Sequence, residues 1–130
     1  MIVLPLPLLL AACAWRGPVP ARTVGDLEPT WQVTCSTETA AERVAVRSIR
    51  EERTVDGRLA VSLDLENLSG ADLPLQVRTA FHTESDPSGG SPATDAVWLL
   101  VVLPGQGSVP YRAEALRPGD AAWQVEIRTP

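Results

Sequence analysis

The chain has 130 residues, enough for one ordinary domain and a short appendage. Hydrophobic residues make up 45% and charged residues 21%, the balance of a globular rather than a disordered protein. A net charge of −5 argues against a nucleic-acid binder, one His excludes a His-rich metal centre, and 11 basic residues that are all Arg exclude Lys-dependent chemistry.

Residues Met1 to Trp15 carry no charge, and the apolar run from Ile2 to Ala12 ends at Cys13. A membrane-spanning helix needs about 20 apolar residues. This run is shorter, and Pro5 and Pro7 would break a helix. Its length is that of a signal-peptide apolar region, although Met-Ile-Val lacks the usual basic start. The segment Leu10-Ala11-Ala12-Cys13 resembles a bacterial lipobox, in which the Cys thiol takes a diacylglycerol and the peptide is cut just before it. The expectation is a lipoprotein signal peptide over 1–12 and lipidation of Cys13, with Ala14 favouring the outer membrane over the inner. The alternatives are an ordinary secretory signal and a buried apolar strand. Gly17, Pro18, Pro20, Gly25 and Pro29 then mark 13–29 as an extended tether, with the folded domain over 30–130.

From Thr30 the pattern is that of strands. Trp31 to Cys35 alternates apolar and polar residues, Thr37 to Arg43 tolerates one helical turn, and Arg43 to Ile49 alternates with a slip between Val46 and Ile49. A bulge there keeps Ile49 toward the core. Asp56-Gly57 supplies a tight hairpin turn. Leu59, Val61, Leu63 and Leu65, then Leu73, Leu75, Val77, Thr79 and Phe81, hold period two over long stretches. His82 to Asp95 is rich in Ser, Pro, Gly and Asp and reads as a long loop. Val97 to Leu103 is continuously apolar and reads as a strand buried on both sides. Val109, Tyr111 and Ala113, then Trp123, Val125 and Ile127, alternate again. Six or seven short strands at this spacing predict an all-β, immunoglobulin-like antiparallel sandwich.

Between Val44 and Arg128 the chain carries Leu63-Asp64-Leu65-Glu66-Asn67, Leu75 to Phe81, Trp98, Leu103-Pro104-Gly105 and Ala122 to Arg128. This arrangement resembles the YcfL-like family of predicted periplasmic lipoproteins, a family of unknown function. The resemblance implies an immunoglobulin-like fold and an envelope location, and it brings no catalytic residues. Family members usually show a D-x-x-G turn after the third strand; here Phe81 to Asp86 runs into an extended Ser/Pro/Gly loop instead.

No constellation for catalysis stands out. His82 is the one imidazole, and no Gly-x-Ser-x-Gly elbow is present. Cys35 reads as a small buried hydrophobe rather than the partner of His82. His82, Glu84, Asp86 and Asp95 are the candidate ligand-binding residues, a loose set that matches no calcium loop and weighs less than a plain solvated loop. No metal site and no cofactor are implied. The charged stretch from Glu42 to Arg53 reads as the wet side of an edge strand. Trp98 and Trp123 read as core. The expectation is a non-enzymatic, lipid-anchored envelope protein that binds another envelope component, a protein, through loops or an exposed strand edge. The runner-up is a small-ligand or calcium-binding module using the 82–95 loop.

Overall fold

The computed structural model describes residues 15–83 and 96–130. The strands are β1 (Val19–Pro20), β2 (Arg22–Thr23), β3 (Val33–Cys35), β4 (Val44–Arg53), β5 (Leu59–Asn67), β6 (Leu73–His82), β7 (Leu99–Leu103), β8 (Ser108–Glu114) and β9 (Ala122–Arg128). A single helix among the described residues, α1 (Glu38–Arg43), joins β3 to β4. The strands form a five-stranded sheet in the order β1-β3-β9-β6-β7 and a four-stranded sheet in the order β2-β4-β5-β8. The predicted all-β sandwich is therefore the observed architecture.

Period two explains how the layers meet. Leu73, Leu75, Val77 and Phe81 of β6 and Trp123, Val125 and Ile127 of β9 point inward from the first sheet. Val44 and Val46 of β4, Leu59 to Leu65 at alternate positions of β5, and Tyr111 of β8 meet them from the second. Truncating one of these large side chains to Ala costs about 2–5 kcal/mol. The predicted bulge is present as a register shift between Val46 and Ser48 in the β4–β5 ladder. The predicted hairpin turn is present too, with Gly57 at φ +87° and its N–H donating to Thr54 O at 2.9 Å.

Two expectations are corrected. The stretch from Val19 to Thr23 was expected in the tether but is part of the sandwich. Val19 and Pro20 pair with β3, while Arg22 and Thr23 run parallel to β4. Ala21 is buried between them and donates to Val33 O. Main-chain pairing needs no large side chains, so the Gly/Pro-rich composition hid it. With the parallel β3–β9 pair, this makes both sheets mixed rather than purely antiparallel.

The second correction concerns Val97 to Leu103. Its ordered strand is β7, which pairs with β6 alone among the described residues and so forms an edge. Along its inward side Leu103 is buried, Val101 is half-buried and Leu99 is open. Trp98, expected in the core, lies beside the outer face between Arg78 and Arg128, whose guanidinium carbons are 4.6 and 3.7 Å from the ring centre. Such cation–π contacts contribute about 0.5–1 kcal/mol each at exposed sites. Trp123 is in the core as expected.

One end of the sandwich is clamped by Asn67. Its buried side-chain amide donates to Ala71 O, Leu103 O and Pro104 O at 2.8–3.2 Å, and its Oδ1 accepts from Ser69 N and Ser69 Oγ. Gly105 sits against the backbone of Gly70, where any Cβ would overlap the Gly70 carbonyl. The Leu65-Glu66-Asn67 and Leu103-Pro104-Gly105 elements thus meet in space, and their role is structural.

Candidate functional site

The clearest candidate for a contact surface is the β7 edge. Leu99, Leu100 and Val102 are 47%, 68% and 51% exposed, and Val97 just before them is also open. The ladder places Leu100 opposite Gln76 and Val102 opposite Pro74 on the outer face. Leu99 and Val101 lie on the inner side, opposite Val77 and Leu75. No charge and no proline fall within β7. An edge of this kind presents unpaired N–H and C=O groups without the charges that usually blunt it.

Beside this edge is a hollow of about 190 Å³ lined by Thr79, Phe81, Val97, Leu99, Tyr111 and Arg112, with Ala113 and Glu114. It opens between β7 of one sheet and β8 of the other. Its base is the buried hydrogen bond between Thr79 Oγ1 and Tyr111 Oη at 2.8 Å. Burial pushes the Tyr111 hydroxyl above its ordinary range, and the Thr79 bond partly offsets this. The hollow's lining mixes the apolar Phe81, Val97, Leu99 and Ala113 with the polar Thr79 and Tyr111 and the charged Arg112 and Glu114. Arg112 itself is tied to Glu114 at 3.0 Å and Glu52 at 3.2 Å.

A second hollow, of about 370 Å³, lies where the ends of β6 and β9 meet residues 30–32. Thr30 builds its near wall. Its Oγ1 accepts from Gln32 N and its carbonyl accepts from Val33 N, closing a turn that leaves Trp31 outside. Trp31 is 65% exposed. His82 ends β6 opposite Ala122 of β9, and both line the hollow with Gln32 and Gln124. His82 Nδ1 is buried with no hydrogen-bond partner among the described residues. An unsatisfied buried polar atom costs about 1–3 kcal/mol.

The predicted site residues divide sharply. His82 is in place on this second hollow; Glu84, Asp86, Asp95 and Cys13 lie outside the described residues. Cys35 faces the core from β3, and burial pushes its thiol up to about 12, away from nucleophilic reactivity. It is in register with Ile127, which pairs with Val77. His82 lies five positions further along β6, about 17 Å of strand, so the two do not form a pair. Among the described residues no three His, Cys, Asp or Glu side chains cluster to hold a metal. Reasoning from sequence missed Trp31 and the β7 edge as surface features. The signal available was the absence of any polar residue from Leu99 to Leu103, which was read as burial.

No protein-family model matches the chain, and no curated protein matches it in sequence. Two solved structures share the fold. The crystal structure of Campylobacter jejuni cj0090 aligns with a TM-score of 0.61 at 13% identity, covering 78% of this chain and all of that one (100%). The crystal structure of a DUF1425 family member from Shewanella sp. pv-4 aligns with a TM-score of 0.57 at 17% identity, covering 67% of this chain and 78% of that one. Both come from bacteria, and at these identities the likeness is one of fold.

Proposed function

We propose that this chain is a non-enzymatic binding module of the bacterial cell envelope, anchored by lipid at Cys13, that takes up an extended segment of another envelope protein along β7. The observation that carries the binding reading is the uncharged, half-exposed β7 edge beside the Leu99–Tyr111 hollow. A peptide that adds a strand gains affinity from main-chain hydrogen bonds and specificity from pockets for alternate side chains. Both parts are side by side here. A stable dimer interface buries about 1,200–2,000 Å². Self-pairing of five-residue edges engages far less than that, so a partner segment that also enters the hollow is favoured over a second copy.

The lipobox-like Leu10-Ala11-Ala12-Cys13 supports the anchor and a periplasmic location, with the outer membrane favoured by Ala14. The YcfL-like resemblance supports the same envelope setting. The test is crosslinking in the native host followed by capture and mass spectrometry, with Cys13→Ala as the matched control. The expected result is one enriched envelope protein with the wild type, lost or weakened with Cys13→Ala. Identical capture from both forms contradicts the anchoring, and the absence of any specific protein contradicts the binding reading.

A further inference from the structure

We infer that the hollow at Trp31 is a glycan-binding site that takes a neutral sugar ring. Its ligand class follows from what lines it. Thr30, Trp31, Gln32, His82, Ala122 and Gln124 form the walls, and none of them is an acid or an Arg. A site for an anion would present cations, and a site for a metal would present carboxylates; this lining offers neither. A purely apolar ligand would cut polar groups of Thr30, Gln32 and Gln124 off from water. A neutral ring with one apolar face and a rim of hydroxyls satisfies both sets of groups.

The geometry supplies each part. Trp31 is held out by the Thr30 turn, so its indole is an open, flat platform. Aromatic side chains provide large apolar contact area at fixed orientation. Ala122, a small residue directly opposite His82 in the ladder, leaves the space between platform and sheet unfilled. Gln124 follows two positions along β9 on the same face. Trp123 backs the wall rather than adding a platform, because it is nearly fully buried and its Nε1 donates to Glu51 at 2.6 Å. A polyproline groove needs aromatic ridges on both sides of the peptide. With one exposed indole, the site favours a sugar.

The experiment is nitrogen-15 NMR titration of the full chain carrying Cys13→Ala with three tetrasaccharides: chitotetraose, cellotetraose and maltotetraose. A decaproline peptide is the rival probe. The expected result is saturable shifts at the Trp31 indole N–H and the Gln32 and Gln124 side-chain amides with at least one sugar at millimolar concentration. Trp31→Ala is expected to weaken binding at least tenfold, Trp31→Phe to retain part of it, and Gln124→Ala to weaken it several-fold. Trp31 is exposed, so these variants keep the fold, which their unshifted core resonances verify. The proposal is overturned if no sugar shifts these signals at 10 mM, if Trp31→Ala leaves the titration unchanged, or if decaproline alone binds.

Discussion

The two strands that border the open side of the sandwich are built on opposite rules. β8 carries Pro110, which takes one donor out of the strand, and Arg112 and Glu114, which cover its outer face with ion pairs to each other and to Glu52. Both devices deter another strand from pairing. β7, across the hollow from it, carries Leu-Leu-Val-Val-Leu and neither device. The ion pairs at β8 are exposed and contribute little to stability, about 0.2–1 kcal/mol each. Their value is therefore in what they keep away. Where one edge is guarded and its neighbour is not, the proposed binding reading assigns pairing to the unguarded edge.

Five outcomes would break or sharpen this contrast. The largest effect concerns the core that supports both edges. The Cys35 thiol is pushed from 9.0 up to about 12 by burial. In the unfolded chain it loses its proton first, so its contribution to stability is complete below pH 9 and lost as pH rises toward 12. Three units correspond to on the order of 4 kcal/mol by pH 12. Urea titrations from pH 8 to 12 are expected to show this decline, and Cys35→Ala to flatten it. Tyr111, whose hydroxyl is also raised, adds to the same alkaline loss.

Next is Asn67→Ala, which releases the turn between β5 and β6 from the end of β7. The buried carbonyl of Leu103 and the donor at Ser69 lose their partner. A loss of about 2–4 kcal/mol in urea unfolding is expected, since unmet buried hydrogen bonds carry about 1–3 kcal/mol each and do not add fully. Tyr111→Phe is smaller. It leaves Thr79 unpaired at the base of the hollow and is expected to cost about 1–2 kcal/mol in the same assay.

The smallest effect on stability belongs to the edge itself. Leu100→Lys with Val102→Lys places charges on exposed positions and is expected to change stability by no more than about 0.5 kcal/mol per site. Capture of the partner in the crosslinking assay should nonetheless fall at least tenfold. The reciprocal variant, Arg112→Leu, strips the guard from β8 and is expected to raise self-association, read as concentration-dependent mass in light scattering.

Much of the fold is legible in the sequence because alternation is a local signal. Leu59 to Leu65 and Leu73 to Phe81 show it without interruption, and the slip at Val46 to Ile49 located a real bulge. Asp56-Gly57 marked its turn because only that backbone needs φ above zero there. What was not legible depends on neighbours. A continuously apolar strand reads the same whether the second face is covered within the chain or left for something else, so Leu99 to Leu103 was misread as fully buried. The pairing of Val19 to Thr23 uses main-chain groups that every residue carries, and composition cannot show it. The hollow at Trp31 joins residues 30–32, 82 and 122–124, which the β3–β9 and β6–β9 ladders bring together.

The most direct test of the edge account is site-specific photocrosslinking in the native host. A photoreactive phenylalanine derivative replaces Leu100 on β7 in one strain and Arg112 on β8 in another. The account predicts a discrete crosslinked envelope protein from position 100 and none, or far less, from position 112. Equal crosslinking from both positions, or none from position 100 while other surfaces react, would contradict it.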